Sequence, residues 1–226
     1  RWVPYFIEAG NAWQKAFERI GFKNAIRGEL APTPEENPDF SEYDTRYSFI
    51  SWKASPVRNA YGPSTVDPRS GEIMTSHVGI FSSVSDLVQQ WYFAQCGAND
   101  KLARETVMPD SLLGELVKMV VSHEIGHTLG LEHNFIGSSL YSVEQLRDNA
   151  FLDKHGMGSS IMDYMRFNYV AREWDRIPLR NRVARIGEYD CFAIDWGYRY
   201  LPDRTGEEWN EWVRQELRDS SKRFEA

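Results

Sequence analysis

The eleven residues His123-Glu124-Ile125-Gly126-His127-Thr128-Leu129-Gly130-Leu131-Glu132-His133 constrain this chain more than any other stretch. They set three imidazoles, a carboxylate and a glycine in the order H-E-x-x-H-x-x-G-x-x-H, the spacing of a catalytic zinc site. The chain has only 5 His and 16 Gly in 226 residues. Chance would produce the pattern on the order of 10⁻⁵ times in such a composition. His123 and His127 stand four apart, so on a helix they share one face and both reach one ion. Glu124 then points to the side of that ion, where it can hold a water and take its proton. Gly130 can adopt positive φ and end the helix, which lets His133 approach from another direction. Three protein ligands leave a fourth position open, the mark of a catalytic rather than a structural site.

The helix under the motif is well specified. Leu112, Leu113, Leu116, Val117, Val120 and Val121 recur near the helical period. Asp110 or Ser111 is the expected N-cap after Pro109, with Glu115 in the first turn. The spacing predicts a helix over about 110–129.

Downstream, Ser159-Ser160-Ile161-Met162-Asp163-Tyr164 resembles the Met-turn of the metzincin metallopeptidases, in which a methionine lies beneath three zinc ligands. The third histidine separates this pattern from thermolysin-like enzymes, whose third ligand is a carboxylate. Further blocks extend the resemblance: Trp13 to Phe22, Arg46 to Trp52, Gly71-Glu72-Ile73, Arg166 to Val170, and Tyr189-Asp190 with Ala193-Ile194 and Trp196-Gly197-Tyr198. Together they resemble a bacterial metzincin family related to the catalytic subunit of a cholix-like enterotoxin. Members of that family often sit within much longer chains.

The resemblance implies an α+β fold: a small twisted mixed sheet packed on the zinc-binding helix, and a mainly irregular and helical C-terminal subdomain. It implies a catalytic domain over 1–200, with an upper part to 130 and a lower part from 131, followed by a helical extension over 201–226. It implies one catalytic zinc on His123, His127 and His133, Glu124 as general base, and Met162 as a structural floor. Tyr164, two residues after Met162, occupies the place from which a tyrosine approaches the metal in the astacin-like and serralysin-like branches. The strand nearest the cleft, placed here at Glu72–Phe81, is expected to be the sheet edge and to bind substrate through Ile73, Thr75, His77 and Gly79. The residues after the Met-turn, from Met165 through Arg166, Phe167, Asn168 and Tyr169, are expected to line the pocket for the side chain after the scissile bond.

Composition sets the outer bounds. A formal charge of −7 and a pI near 5.3 argue against nucleic acid as partner. No apolar run reaches the length of a membrane span. The chain opens on Arg1 without a signal peptide, so the expectation is a piece of a longer multidomain protein. The resemblance implies secretion or a place in the cell envelope. Cys96 and Cys191 read as buried free thiols in preference to a bridge.

Along the chain, residues 5–20 read as one helix ended by Gly21, 31–44 as an acidic loop, and 45–53 as a strand. The acidic loop has carboxylates for calcium but not the ordered spacing of a calcium loop. Pro56 to Gly71 reads as another loop, and helices are expected near 84–97, 142–149, 187–198 and 206–222. His77 and His155 stand apart from the motif; either could face the cleft, although a lone histidine is more often an ordinary polar residue.

The reading that follows is a zinc endopeptidase acting on a peptide or protein substrate. Two alternatives belong to other classes: a catalytically silent protease-like binding domain, and a zinc hydrolase of a non-peptide substrate.

Overall fold

The longest helix, α4 (Asp110–Thr128), is the element against which the sheet and two other helices pack in the computed structural model, which describes residues 1–226. Twelve of its 19 residues are buried, so its apolar surface runs around most of the circumference and not along one stripe. The helix starts at Asp110, as the spacing predicts, but the cap position is taken by Pro109 and not by Asp110 or Ser111. Asp110 thereby lies in the first turn, where its charge opposes the helix dipole, and Arg1 pairs with it at 3.0 Å. Glu115 falls beyond that turn and pairs with Lys118.

The first helical region is two helices, α1 (Val3–Ala12) and α2 (Gln14–Glu18), where one was expected. The break is at Trp13, which is fully buried and donates its indole N–H to the Ser122 carbonyl of α4 at 3.0 Å. A tertiary contact here overrides a continuous helical pattern. Gly21, with φ +92°, closes the region as predicted.

Four strands form a mixed sheet: β1 (Phe49–Lys53), β2 (Ala60–Tyr61), β3 (Ser64–Val66) and β4 (Ile73–Phe81). β4 is central. β1 runs parallel to it on one side, and β2 and β3 run antiparallel to it on the other. This corrects the expectation that Glu72–Phe81 is the edge strand. It also corrects the loop predicted from Pro56 to Gly71, which contains β2 and β3. Each is too short, and too interrupted at Gly62-Pro63, to announce itself locally; pairing with β4 is what makes them strands.

On β4 the buried Ser76, Val78 and Ile80 share one face and alternate with Ile73, Thr75, His77 and Gly79, of which only Gly79 is also buried. None of the second set belongs to the lining of the cavity that borders His123 and Glu124. His77 bonds Ser51 Oγ at 2.9 Å, Thr75 donates to the Tyr47 carbonyl, and the Tyr61 ring covers Gly79.

After the sheet comes α3 (Val84–Cys96), then α4, then a long, largely irregular stretch. A short 3-10 turn over Gln145–Arg147 falls where a short helical piece was expected near 142–149, and the helix proper, α5 (Asn149–His155), follows it because Asp148 caps it, accepting from the Ala150 and Phe151 amides. The closing helices are α6 (Glu188–Tyr198) and α7 (Gly206–Glu216). α7 stops six residues short of the expected 222, and Asp219 then turns the chain by accepting from the Ser221 amide. The last residues return to the middle of the molecule. Asn134 Nδ2 donates to the Arg223 carbonyl at 2.9 Å, and the Phe135 amide donates to the Glu225 carbonyl at 2.8 Å.

One apolar cluster of 34 residues runs from Trp2 to Ile194, so elements before and after α4 share it. Cys96 and Cys191 are buried free thiols within it. The architecture is α+β. No helix is long and apolar enough to cross a membrane.

Candidate metal centre

His123 and His127 project from the end of α4, and His133 enters from the chain just beyond it. Gly130 makes that entry possible: its φ of +91° is a left-handed conformation that glycine adopts freely. The Leu131 amide closes the turn on the Gly126 carbonyl at 3.1 Å. The three side chains are brought together as one metal-competent group. His133 Nε2 lies 3.3 Å from His123 Nε2 and 3.2 Å from His127 Nε2. Ligands arranged tetrahedrally at about 2.05 Å stand about 3.3 Å apart, so both distances to His133 have the size that zinc requires.

These short contacts cannot both be hydrogen bonds. His123 Nδ1 lies 2.9 Å from the Ile161 carbonyl, and His127 Nδ1 lies 2.9 Å from the Leu131 carbonyl. A carbonyl only accepts, so each Nδ1 carries the proton and each Nε2 of the neutral ring presents a lone pair. Both lone pairs point at His133, whose single ring proton cannot satisfy the two. Convergent lone pairs of this kind call for a cation. Carbonyls behind the rings are also the partners that orient metal-binding imidazoles. Burial pushes His123 down to about 4, reinforced by His127, His133 and Arg166 and opposed by the Ile161 carbonyl. His133 is lowered as well, by burial and then by His127. Both rings are therefore neutral near pH 7, the state that ligates.

Met162 is fully buried against α4, the helix that carries His123 and His127. A Cβ on Gly126 would fall 2.4 Å from its Sδ, so the methionine fits under the helix only because residue 126 is glycine. The turn carrying it is pinned by Asp190, which accepts from Ser160 Oγ at 2.7 Å, the Ile161 amide at 2.8 Å and the Gly187 amide at 2.7 Å. Burial pushes the Asp190 carboxyl up to about 6 against those three donors and Lys15.

Glu124 borders a cavity of 310 Å³ that also touches His123, Tyr164 and Arg166. No cation pairs with it. Burial raises its carboxyl to about 7; a metal ion held beside it opposes that rise. Tyr164 is half exposed, its ring centroid 4.5 Å from that of His133 and 5.5 Å from that of His123. It is not a core tyrosine.

Residues 105–226, from just before α4 to the last residue, match a family model described as Met-zincin. The chain belongs to the Met-zincin family. Neither a curated protein nor a solved structure matches it. The matched part of this Met-zincin holds α4, the three histidines and the Met-turn; the sheet precedes it.

The residues after the Met-turn divide. Arg166 lines the cavity. Phe167 and Asn168 do not: Phe167 is fully buried edge-on against Tyr92, and Asn168 is buried with its Nδ2 donating to the Leu146 carbonyl. They bridge toward Val183 and Arg182 in a short antiparallel contact, which turns their side chains into the core. Tyr169 is exposed and lies outside the cavity lining. His155 stacks on Phe151 in α5 and has no part in the metal group.

Other site residues went unread in the sequence. Arg58, Asn59 and Ala60 border the cavity, and Gly62 packs so closely on α4 that a Cβ would fall 2.3 Å from the Glu124 carbonyl oxygen. Trp91 of α3 forms another wall. Only Gly126, inside the motif, and Asp190, inside a quoted block, carried any local signal.

Proposed function

We propose that this Met-zincin is a zinc-dependent endopeptidase. The observation that carries the reading is the convergence of the histidine Nε2 atoms with an unpaired, partly buried carboxylate beside them at the mouth of a cavity. His123, His127 and His133 would hold one zinc ion, which when bound supplies Lewis acidity to polarise a carbonyl oxygen and acidify water.

The remaining chemistry belongs to side chains of the chain. Glu124 takes a proton from the attacking water and delivers it to the leaving amine, and its raised pKa suits a group that must do both near pH 7. Tyr164, beside the histidine rings, donates a hydrogen bond to the oxyanion as it develops. Met162 packs under the imidazoles and fixes their height. The segment Arg58–Ser64 is the sheet edge on the cavity side, so it, and not β4, is the strand to which an extended substrate adds by main-chain hydrogen bonds.

A silent binding domain has no use for Glu124, since a buried carboxylate without a partner destabilises a fold. A hydrolase of non-peptide esters or amides shares the same centre and is separated by substrate alone. The test is a peptide-library digest by the zinc-loaded chain and its Glu124→Gln variant. Glu124→Gln is expected to retain zinc and lose about 10²–10⁴-fold in turnover. Undiminished cleavage by the zinc-loaded variant would refute the general-base role. A library left intact by the zinc-loaded wild type would refute the peptidase reading.

A further inference from the structure

The cavity beside the metal centre has apolar walls contributed by Val84, Leu87, Met119 and Ala184. Into this setting the chain places a guanidinium. Arg166 lies 3.3 Å above the Trp91 ring and 5.0 Å from the Tyr164 ring. Aromatic faces stack on the flat surface of a guanidinium and leave its in-plane N–H groups directed outward. Here those N–H groups meet no protein acceptor, and no carboxylate lies within ion-pair distance. Neither acid of the lining pairs with it: Glu124 forms no ion pair, and Asp163 turns its carboxylate to the Ser138 amide at 2.6 Å. Burial disfavours the charged form of Arg166, with only Tyr164 opposing. A second cation, Arg58, stands at the rim and bonds only Gln90 Oε1, at 3.4 Å.

The backbone adds an independent observation. Arg166 has φ +58°, a left-handed conformation that a non-glycine residue adopts only under restraint. The restraint is visible on both sides: the Ala184 amide donates to the Arg166 carbonyl at 3.2 Å, and the Phe167 amide donates to Gln95 Oε1 at 3.1 Å. The surrounding structure holds a strained residue so that its charged end stands, unpaired, over Trp91 in the cavity.

We propose that this cavity selects an acidic side chain, and that Arg166 is the specificity-determining residue. The inference rests on the peptidase reading for its substrate, in which that side chain is the one following the scissile bond. A carboxylate can accept two parallel N–H bonds from the free edge of the guanidinium, while its methylene stem packs on the apolar walls. The neutral amide of the same shape can supply only one acceptor atom and no charge. The expected preference for carboxylate over amide is about 10- to 100-fold. A lysine or arginine at the same position meets like charge and is rejected.

The probes are two succinyl hydroxamates of one dipeptide, identical except that the side chain beside the zinc-binding group ends in a carboxylate or in its amide. Their binding to the zinc-loaded chain is measured by calorimetry. The carboxylate probe is expected to bind about 10- to 100-fold tighter. Arg166→Gln should erase the difference while zinc content is unchanged. Arg166→Gly suits the positive φ and serves the same test where the glutamine variant fails to fold. Equal affinity of the two probes, including binding of neither, overturns the assignment. So does a carboxylate preference that survives loss of the guanidinium. Cleavage of paired peptides carrying Glu or Gln after the scissile bond separates the two readings. Cleavage without acidic preference overturns the selectivity and leaves the peptidase standing. Probe discrimination with no peptide cleaved does the reverse.

Discussion

The helix α4 and the chain from Asn134 to Gly187 face each other across the same site, and they are stabilised by different means. α4 satisfies its own backbone, and burial of 12 of its residues holds it in place. The opposite wall has one seven-residue helix and a few single turns, so most of its buried amides and carbonyls must find partners elsewhere. Buried polar side chains supply them. Asp190 gathers Ser160, Ile161 and Gly187. Asn99 donates to the Ala171 carbonyl at 2.7 Å, and Arg182 donates to the Ile177 carbonyl at 2.7 Å. Asn168 holds the Leu146 carbonyl. The contrast teaches that the histidines of α4 are preorganised by secondary structure, whereas Met162 and Tyr164 are preorganised by particular polar anchors.

The largest expected effect breaks or keeps that contrast. Asp190→Ala leaves three buried donors without an acceptor and is expected to cost about 3–5 kcal/mol. On the helical wall, Thr128→Val removes one bond, from Oγ1 to the Ile125 carbonyl at 2.7 Å, at about 1 kcal/mol. Urea unfolding of both variants gives the comparison, and equal costs would dissolve it.

Next in size is the carboxylate that the helical wall leaves unpaired. Glu124 is raised from its ordinary 4.5 to about 7 in the metal-free protein. The sign follows: the folded state holds this proton more tightly than the unfolded state, so the contribution is fully present below pH 4.5 and is lost as pH rises through 7. Glu124→Gln carries no such loss. Without metal, the variant should match wild type near pH 4.5 and gain on it as pH rises, by on the order of 3 kcal/mol above pH 7. Parallel stability profiles over that window would show that the carboxylate is not strained by burial.

Smallest on the fold, and confined to turnover, is Tyr164→Phe. The ring belongs to the irregular wall but stands against the histidines of the helical one. Loss of its hydroxyl should lower kcat by about 10–10³-fold, with zinc affinity and unfolding midpoint unchanged. An unaltered kcat would remove Tyr164 from the chemistry and leave it as packing.

Legibility in the sequence followed the same division. The 3.6-residue period ties His123 to His127 and places Glu124 beside them without reference to the rest of the chain, and Gly130 announces the turn that admits His133. The Met-turn is readable as a pattern, but Asp190, which holds it, lies some thirty residues away and shows no spacing rule. β4 reads as a strand from its composition. Its interior place does not, because strand order is set by β2 and β3, whose pairing with it is nonlocal. The post-Met-turn residues were expected to share one pocket, yet the bridge of Phe167 to Val183 sends two of them into the core and leaves Arg166 in the cavity.

By itself, then, the sequence determined the grouping of three histidines, the carboxylate beside them and the helix that presents them, because each depends on local periodicity and on the chemistry of single residue types; the α+β class came through the family resemblance that these motifs carry. Tertiary structure alone decided which strand forms the cavity edge, which side chains reach that cavity and how the Met-turn is held. Those outcomes arise from packing and hydrogen bonds between residues far apart in the chain, where no local spacing records the partner.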